Sequence, residues 1–358
     1  MCTSTTAPDL FFDHSSTYFS IDIDPGTAGA LEAGTSYTTS VRVRNDGISA
    51  NAAVRLYVCP PGTNVTAGTA ILLHEGNVTS AIPACTGAGP GVSPFAQWTY
   101  TWDPGAVFTP SPGASAVHMC LFAQVKYPGG ILGVPATNYP GNSNPTTPQN
   151  AQHNIDVIDV AVPFKRQEQD PDGEGEQFFG FAIPNPLPGT LKGRIVVEAV
   201  TDARKRAALV AGSPRLKELF GRAKLRAPAR AGVVLGKERL FVPNTLAYER
   251  PNKRRAKSDL RREALRVARF GHTGELTRDT FRQLADGEAD QARAVTLSPN
   301  EVRQGMLHIV PPRNAKPGDL FVFDIRHEVA NAGRDKKKPT VIGGLIVVVR
   351  AVKARRRA

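Results

Sequence analysis

The chain has 358 residues, 41% of them hydrophobic, and 44 Lys and Arg against 32 Asp and Glu give it a net charge of +12. That length exceeds one ordinary sandwich and predicts two domains, while four cysteines, all within the first 120 residues, exclude a disulfide-dense scaffold. The charge is uneven: residues 1–160 hold four basic and ten acidic residues, a net of −6, whereas the rest hold 40 basic and 22 acidic, a net of +18. The two halves therefore present different surfaces.

Met1 to Ser20 has neither a basic n-region nor an apolar h-region. The longest apolar run, Val341 to Val349, is interrupted by glycine and falls short of the ~18 residues of a membrane span. These features lead to the expectation of a soluble chain, cytoplasmic in preference to exported by a route the N-terminus does not display.

The stretch Tyr37 to Cys59 organises the first third. Val41 and Val43 alternate with Arg42 and Arg44, Asn45-Asp46-Gly47 breaks the run, and Val54, Leu56 and Val58 then alternate with Arg55 and Tyr57. Period-two patterning on both sides of such a turn predicts an antiparallel hairpin with the valines and Leu56 inward. Further strands are expected at Ala70–His74, Phe95–Trp102 and Val117–Lys126. Short strands between Gly- and Pro-rich turns point to an immunoglobulin-like sandwich over residues 8–139. The runs V-R-V-R-N-D-G, V-R-L-Y-V and H-M-C-L-F-A-Q-V resemble a bacterial CARDB domain, the cell-adhesion-related Ig-like module. That resemblance implies a sandwich fold and a surface-presenting or adhesive habit, with no chemistry attached.

Residues 140–154, rich in Asn, Pro, Thr and Gln, read as a linker. A second domain is expected over 155–350, with strands at Phe178–Ile183, Leu191–Val200, Arg293–Leu297, Met306–Val310, Leu320–His327 and Val341–Arg350, and residues 351–358 as a basic tail. Between Thr201 and Arg278 there are 21 Lys and Arg and seven Asp and Glu. Helical patches at Asp202–Val210, Pro214–Arg222, Ser258–Phe270 and Thr277–Asp286, the last stopped by Gly287, make residues 201–287 a basic, largely helical insertion. The expected fold is thus mostly β: two Ig-like β-sandwich domains, the second carrying that insertion.

Within the insertion, Arg261, Arg262, Arg266 and Arg269 fall within an arc of about 140° on a helical wheel, opposite Leu260, Ala264, Leu265, Val267 and Ala268. Lys253, Arg254, Arg255 and Lys257 extend the patch. Such a stripe suits a protein partner, other copies of the chain, or nucleic acid or another polyanion. The competing reading is a solvated charged face. Few aromatic residues lie nearby to stack on bases, which disfavours single-strand recognition.

Trp98, Tyr100 and Trp102 sit two apart and share one strand face, as an exposed platform or, preferably, as core. Asp170, Asp172 and Glu174 alternate with Pro and Gly and could hold calcium, against a plain acidic loop. His118 and Cys120 share a strand face but project in parallel, which favours packing over a catalytic dyad. Cys59 and Cys120 fall on expected strands and Cys85 in a loop, leaving one bridge open beside the preferred reading of buried free thiols. No G-x-S-x-G, Walker A or H-E-x-x-H motif occurs. The expectation is a non-enzymatic structural or interaction protein without a cofactor, with polyanion binding as the alternative and an unrecognised hydrolase third.

Overall fold

The computed structural model of the chain describes residues 7–13, 20–27, 31–65, 69–86, 93–107, 116–126, 150–162, 176–185, 187, 189–202, 204, 207, 217, 220, 230–242, 262, 266–267, 274–312, 314–330 and 339–353, and structural statements refer to these. They are mostly strand, gathered into two pairs of facing sheets.

The first pair is built from β1 (Leu10–Phe11), β2 (Ile23–Asp24), β3 (Leu31–Glu32), β4 (Tyr37–Asn45), β5 (Ala53–Cys59), β6 (Ile71–Asn77), β7 (Phe95–Trp102), β8 (Ala116–Val117), β9 (Cys120–Lys126) and β10 (Asn150–His153), with the short helix α1 (Pro104–Val107). In one sheet β4 is flanked by β1 and β2 on one side and by β7 on the other. The facing sheet runs β10-β9-β5-β6, and β3 pairs with β8 in a small ribbon. Leu10, Ile23, Val41, Val43, Trp98 and Trp102 from the first sheet meet Val54, Leu56, Val58, Leu121, Ala123 and Val125 from the second in one core.

The expected hairpin is not formed. β4 pairs with β1, β2 and β7, while β5 pairs with β6 and β9, so the two strands lie in opposite sheets. The inward residues are as expected: Val41, Val43, Val54, Leu56 and Val58 are all fully buried. Alternation records which side of a strand is dry, and it reads the same whether two strands are hydrogen-bonded neighbours or face each other across a core. What carries the chain from sheet to sheet is Asn45, itself fully buried. Its Oδ1 accepts from Asp9 N at 3.0 Å and Gly47 N at 2.9 Å, and its Nδ2 donates to Ile48 O at 2.7 Å and Pro83 O at 3.1 Å.

The second pair comprises β11 (Ile155–Val162), β12 (Gln177–Pro184), β13 (Leu191–Ala199), β14 (Arg230–Phe241), β15 (Gly274–Leu276), the helix α2 (Arg278–Leu284), β16 (Ala292–Leu297), β17 (Glu301–Val310), β18 (Leu320–Val329) and β19 (Thr340–Lys353). One sheet runs β11-β19-β18-β13-β16 and the other β14-β17-β12-β15. β11 runs parallel to β19, which is possible because the whole of the second pair lies between them as a crossover. Phe179, Phe181, Ile183, Val233, Leu235, Leu307 and Ile309 interleave with Ile195, Val197, Phe321, Phe323, Ile325, Leu345, Val347 and Val349. Asn185 repeats the device of Asn45: its Nδ2 donates to Gly189 O, Leu297 O and Ser298 O, and its Oδ1 accepts from Leu187 N.

The described residues of 201–287 do not support a largely helical insertion set apart from the sandwich. β14 runs through them and pairs along β17, so the segment supplies a strand of the sandwich itself. α2 is the short helix expected near Thr277–Asp286, capped by the Thr277 hydroxyl accepting from Thr280 N at 3.1 Å. Two residues of the basic segment pack on the outer sheet faces. Phe220 joins Val157, Val200, Leu320, Val322, Ile346 and Val348 on the five-stranded sheet, and Val267 joins Ala182, Leu240, Val242 and Val302 on the other. Coverage of both faces explains why β19 carries the unbroken buried run Leu345–Val349.

The two pairs are directly coupled. The stretch read as a linker ends, over Asn150–His153, as a strand against β9, and Asn154 alone separates it from β11. Asn154 is 1% exposed; its Nδ2 donates to Gly62 O at 2.5 Å and to Gly344 O, and its Oδ1 accepts from the Cys120 thiol. The loop after β5 docks beside it, with Thr63 N donating to Ala182 O at 2.9 Å and Ala182 N to Pro61 O at 2.7 Å. Thr63 Oγ1 and Asn64 Nδ2 approach His327 Nδ1 at 3.5 and 3.4 Å. A Cβ at Gly343 would overlap the Thr63 carbonyl oxygen, so the docking requires glycine there.

Candidate functional site

Of the arginine stripe, Arg262 and Arg266 are described, helical and exposed, and Val267 between the stripe and the sheet is fully buried. Val267 is seated on the outer face of the β14-β17-β12 sheet, and an apolar residue inward with charged ones exposed is what an amphipathic surface helix presents. Lys253, Arg254, Arg255, Lys257, Arg261 and Arg269 lie outside the described residues. The same sheet exposes Lys237 and Arg239 on β14, where the register shifts between Leu235 and Arg239.

A cleft of about 690 Å³ opens between the two sheets of the second pair, a volume within the range of ligand sites. Val197, Ala199, Ala231, Val310 and Phe323 line it with apolar surface, and Arg230, Asp290, Gln291 and His308 supply the polar groups. Asp290 exchanges backbone bonds with Val233, and Gln291 O accepts from Val197 N, so one loop ties both sheets above the opening. His308 stacks on Phe178 with ring centroids 4.9 Å apart, and Phe281 of α2 completes the cluster. Its Nε2 lies 3.5 Å from Glu176, which also takes an Arg278 bond at 2.9 Å. Burial pushes the His308 imidazole below its ordinary pKa and outweighs the pull of Glu176 the other way. Sequence reasoning missed this cleft, because its residues are spread over four strands and a loop.

The aromatic row is core. Trp98 and Trp102 are each 6% exposed, and Trp102 Nε1 donates to Thr39 Oγ1 at 3.0 Å, so there is no exposed platform. Tyr100 is half-buried and stacks on His74 at 4.3 Å, with Trp98 6.1 Å beyond. The three rings do share one face; that face looks at the opposite sheet, where large apolar anchors are needed. Asp170, Asp172 and Glu174, the suggested calcium ligands, lie outside the described residues. Asp22 is the partner of Arg44. His118 packs edge-on against Phe179 rather than beside a thiolate, and Cys120 binds Asn154. Cys59 and Cys120 are free, buried and directly opposed on β5 and β9, whereas Cys85 is disulfide-bonded. Burial drives the Cys59 thiol far above its ordinary range, which leaves it inert at neutral pH.

No family model matches the chain, and no curated protein matches it. Among solved structures it is similar to the CupB6 tip adhesin from Pseudomonas aeruginosa, at 10% identity and a TM-score of 0.23 over 98% of this chain and 99% of that one. The collagen adhesin (CNA) from S. aureus matches at 9% identity and a TM-score of 0.20, over 96% of each chain. CfaE, the adhesive subunit of CFA/I fimbria of enterotoxigenic Escherichia coli, matches at 8% identity and a TM-score of 0.21, over 96% of this chain and 87% of that one. Likeness at this level leaves fold and function to be argued from the chain's own geometry.

Proposed function

We propose that the chain is a non-enzymatic interaction protein: two coupled Ig-like sandwiches, the first of CARDB type, that present surfaces and associate with other copies through acidic-to-basic contact. The observation that carries this reading is the pairing of buried Val267 with exposed Arg262 and Arg266, which supports a cationic stripe on the second sandwich. The acidic partner is the first half of the chain, with its net of −6.

Light scattering across a salt series tests it. Self-association is expected to weaken steadily as salt rises, since the Debye length falls from ~10 Å at 0.1 M to ~3 Å at 1 M. Arg262→Glu/Arg266→Glu should reduce association at low salt. Assembly by that variant equal to the parent's would remove the proposal, and a mobility shift with duplex DNA in place of self-association would transfer the stripe to a polyanion.

A further inference from the structure

β7 is an edge strand: β4 occupies one side, and among the described residues no strand occupies the other. Which of its backbone groups are free follows from the ladder. Arg42 N donates to Asp22 O on the β2 side at 2.8 Å, and Asn45 N donates to Pro94 O on the β7 side at 3.0 Å. Alternation along β4 then points Val41 and Val43 toward β7, where they bond their partners Trp98 and Ala96. Phe95, Gln97, Thr99 and Thr101 must aim their N–H and C=O groups away from the sheet, and among the described residues none of these outward groups has a hydrogen-bond partner.

The side chains of the same four residues are exposed, with Phe95 at 48%. Proteins ordinarily blunt such an edge with a charge, a proline, a bulge or a short strand. Other edges here show those devices. β10 has four residues and β15 three, β16 carries Arg293, and the outer side of β14 is bridged by Asp290 and Ala285. β7 has eight residues, FAQWTYTW, without a charge or a proline, and pairs with β4 without a register shift.

We propose that β7 is a docking edge for β7 of a second copy, joining two first sandwiches into one continuous antiparallel sheet about a twofold axis at Trp98. Self-pairing centred there sets Phe95 against Thr101 and Gln97 against Thr99, so every outward backbone pair meets another outward pair and exposed side chains stay on one face. No like charges come opposite each other, because the strand has none. The inference takes from the proposed function only that a second copy is the partner, and the contact itself needs no charge.

Salt separates the two contacts. At about 1 M salt, where the charge contact is screened, sedimentation equilibrium of the full chain should still show a dimer. Thr99→Pro should abolish it, since the N–H removed points outward and the β4 ladder loses nothing. Gln97→Pro, which removes the neighbouring outward N–H and likewise leaves the β4 ladder intact, should do the same, and it keeps the test open if Thr99→Pro fails to fold. Circular dichroism of both variants is expected to match the parent. A parent that is monomeric in high salt, or a folded Thr99→Pro or Gln97→Pro variant that dimerises as well as the parent, overturns the proposal. Loss of low-salt assembly alone would strike the stripe and leave β7 standing.

Discussion

Asp22 has no exposed side-chain surface, and it is held by Arg44 through Nε at 2.7 Å and Nη2 at 2.8 Å. Burial is the larger influence on its carboxyl and holds it above the ordinary value, against the bonds from Arg44 and the Asp13 backbone. Arg44 is also raised above its ordinary value, chiefly by the Asp22 bond, which favours its charged form. Such a pair adds little over an apolar replacement of both partners, yet losing one partner strands the other. Arg44→Ala is therefore expected to destabilise the first sandwich by about 3–5 kcal/mol in urea unfolding. An effect near zero would mean that Asp22 finds water or protonates at no cost. Nothing in IDIDPG announces this pairing, because the two residues meet only through the β2–β4 register.

At the scale of elements, Leu56 on β5 tests the core. It is fully buried and packs in the cluster shared by both sheets, so Leu56→Ala should cost about 2–5 kcal/mol in the same assay. A surface-like response would contradict the inward register. The strand β14 shows where patterning fails. Its inward Val233 and Leu235 are followed by Gly236, Lys237, Glu238 and Arg239, and the break coincides with a register shift. Arg303 holds that bulge from the next strand, donating to Gly236 O and to Asp286 Oδ2, each at 3.0 Å. A run of lysine and arginine within a basic stretch reads as an excursion, although here it is an irregularity within a sheet.

At the scale of the whole molecule, two buried histidines tie stability to pH. His327, at the junction between the sandwiches, is pushed down to about 3 and His153 on β10 to about 4, both from an ordinary 6.5 and both by burial. Above about pH 6.5 both are neutral in either state and cost nothing. As pH falls below that, the unfolded chain takes up protons that the folded one refuses, so stability drops. Each contributes a slope of up to about 1.4 kcal/mol per pH unit, continuing down to its folded value. His308 acts in the same direction, while the raised Asp22 carboxyl acts oppositely at lower pH. Urea unfolding between about pH 7 and pH 5 should show the fall, and His327→Gln should flatten it. Stability unchanged over that interval would show that neither imidazole is held neutral. The salt dependence expected of the proposed assembly belongs to this scale too, since the proposal draws on the opposed charge of the two halves.

The sequence alone determined which residues are inside. Period-two alternation located β4 and β5, the two-residue spacing of the rings located β7, and these turned Val41, Leu56 and Trp98 inward, because burial of one face is a local property of a strand. It also separated an acidic half from a basic one. Partnership was decided only by tertiary structure. That β4 and β5 face each other rather than pair, that β14 completes a sheet, and that Asn154 and His327 meet the loop after β5 all depend on contacts between distant residues. The free edge of β7 is of the same kind: its composition was visible, and its exposure followed only once β4 had taken β1, β2 and β7 as neighbours. Hydrophobic patterning measures transfer from water, which is non-directional, whereas hydrogen-bond register is directional and chooses among partners that alternation leaves equal.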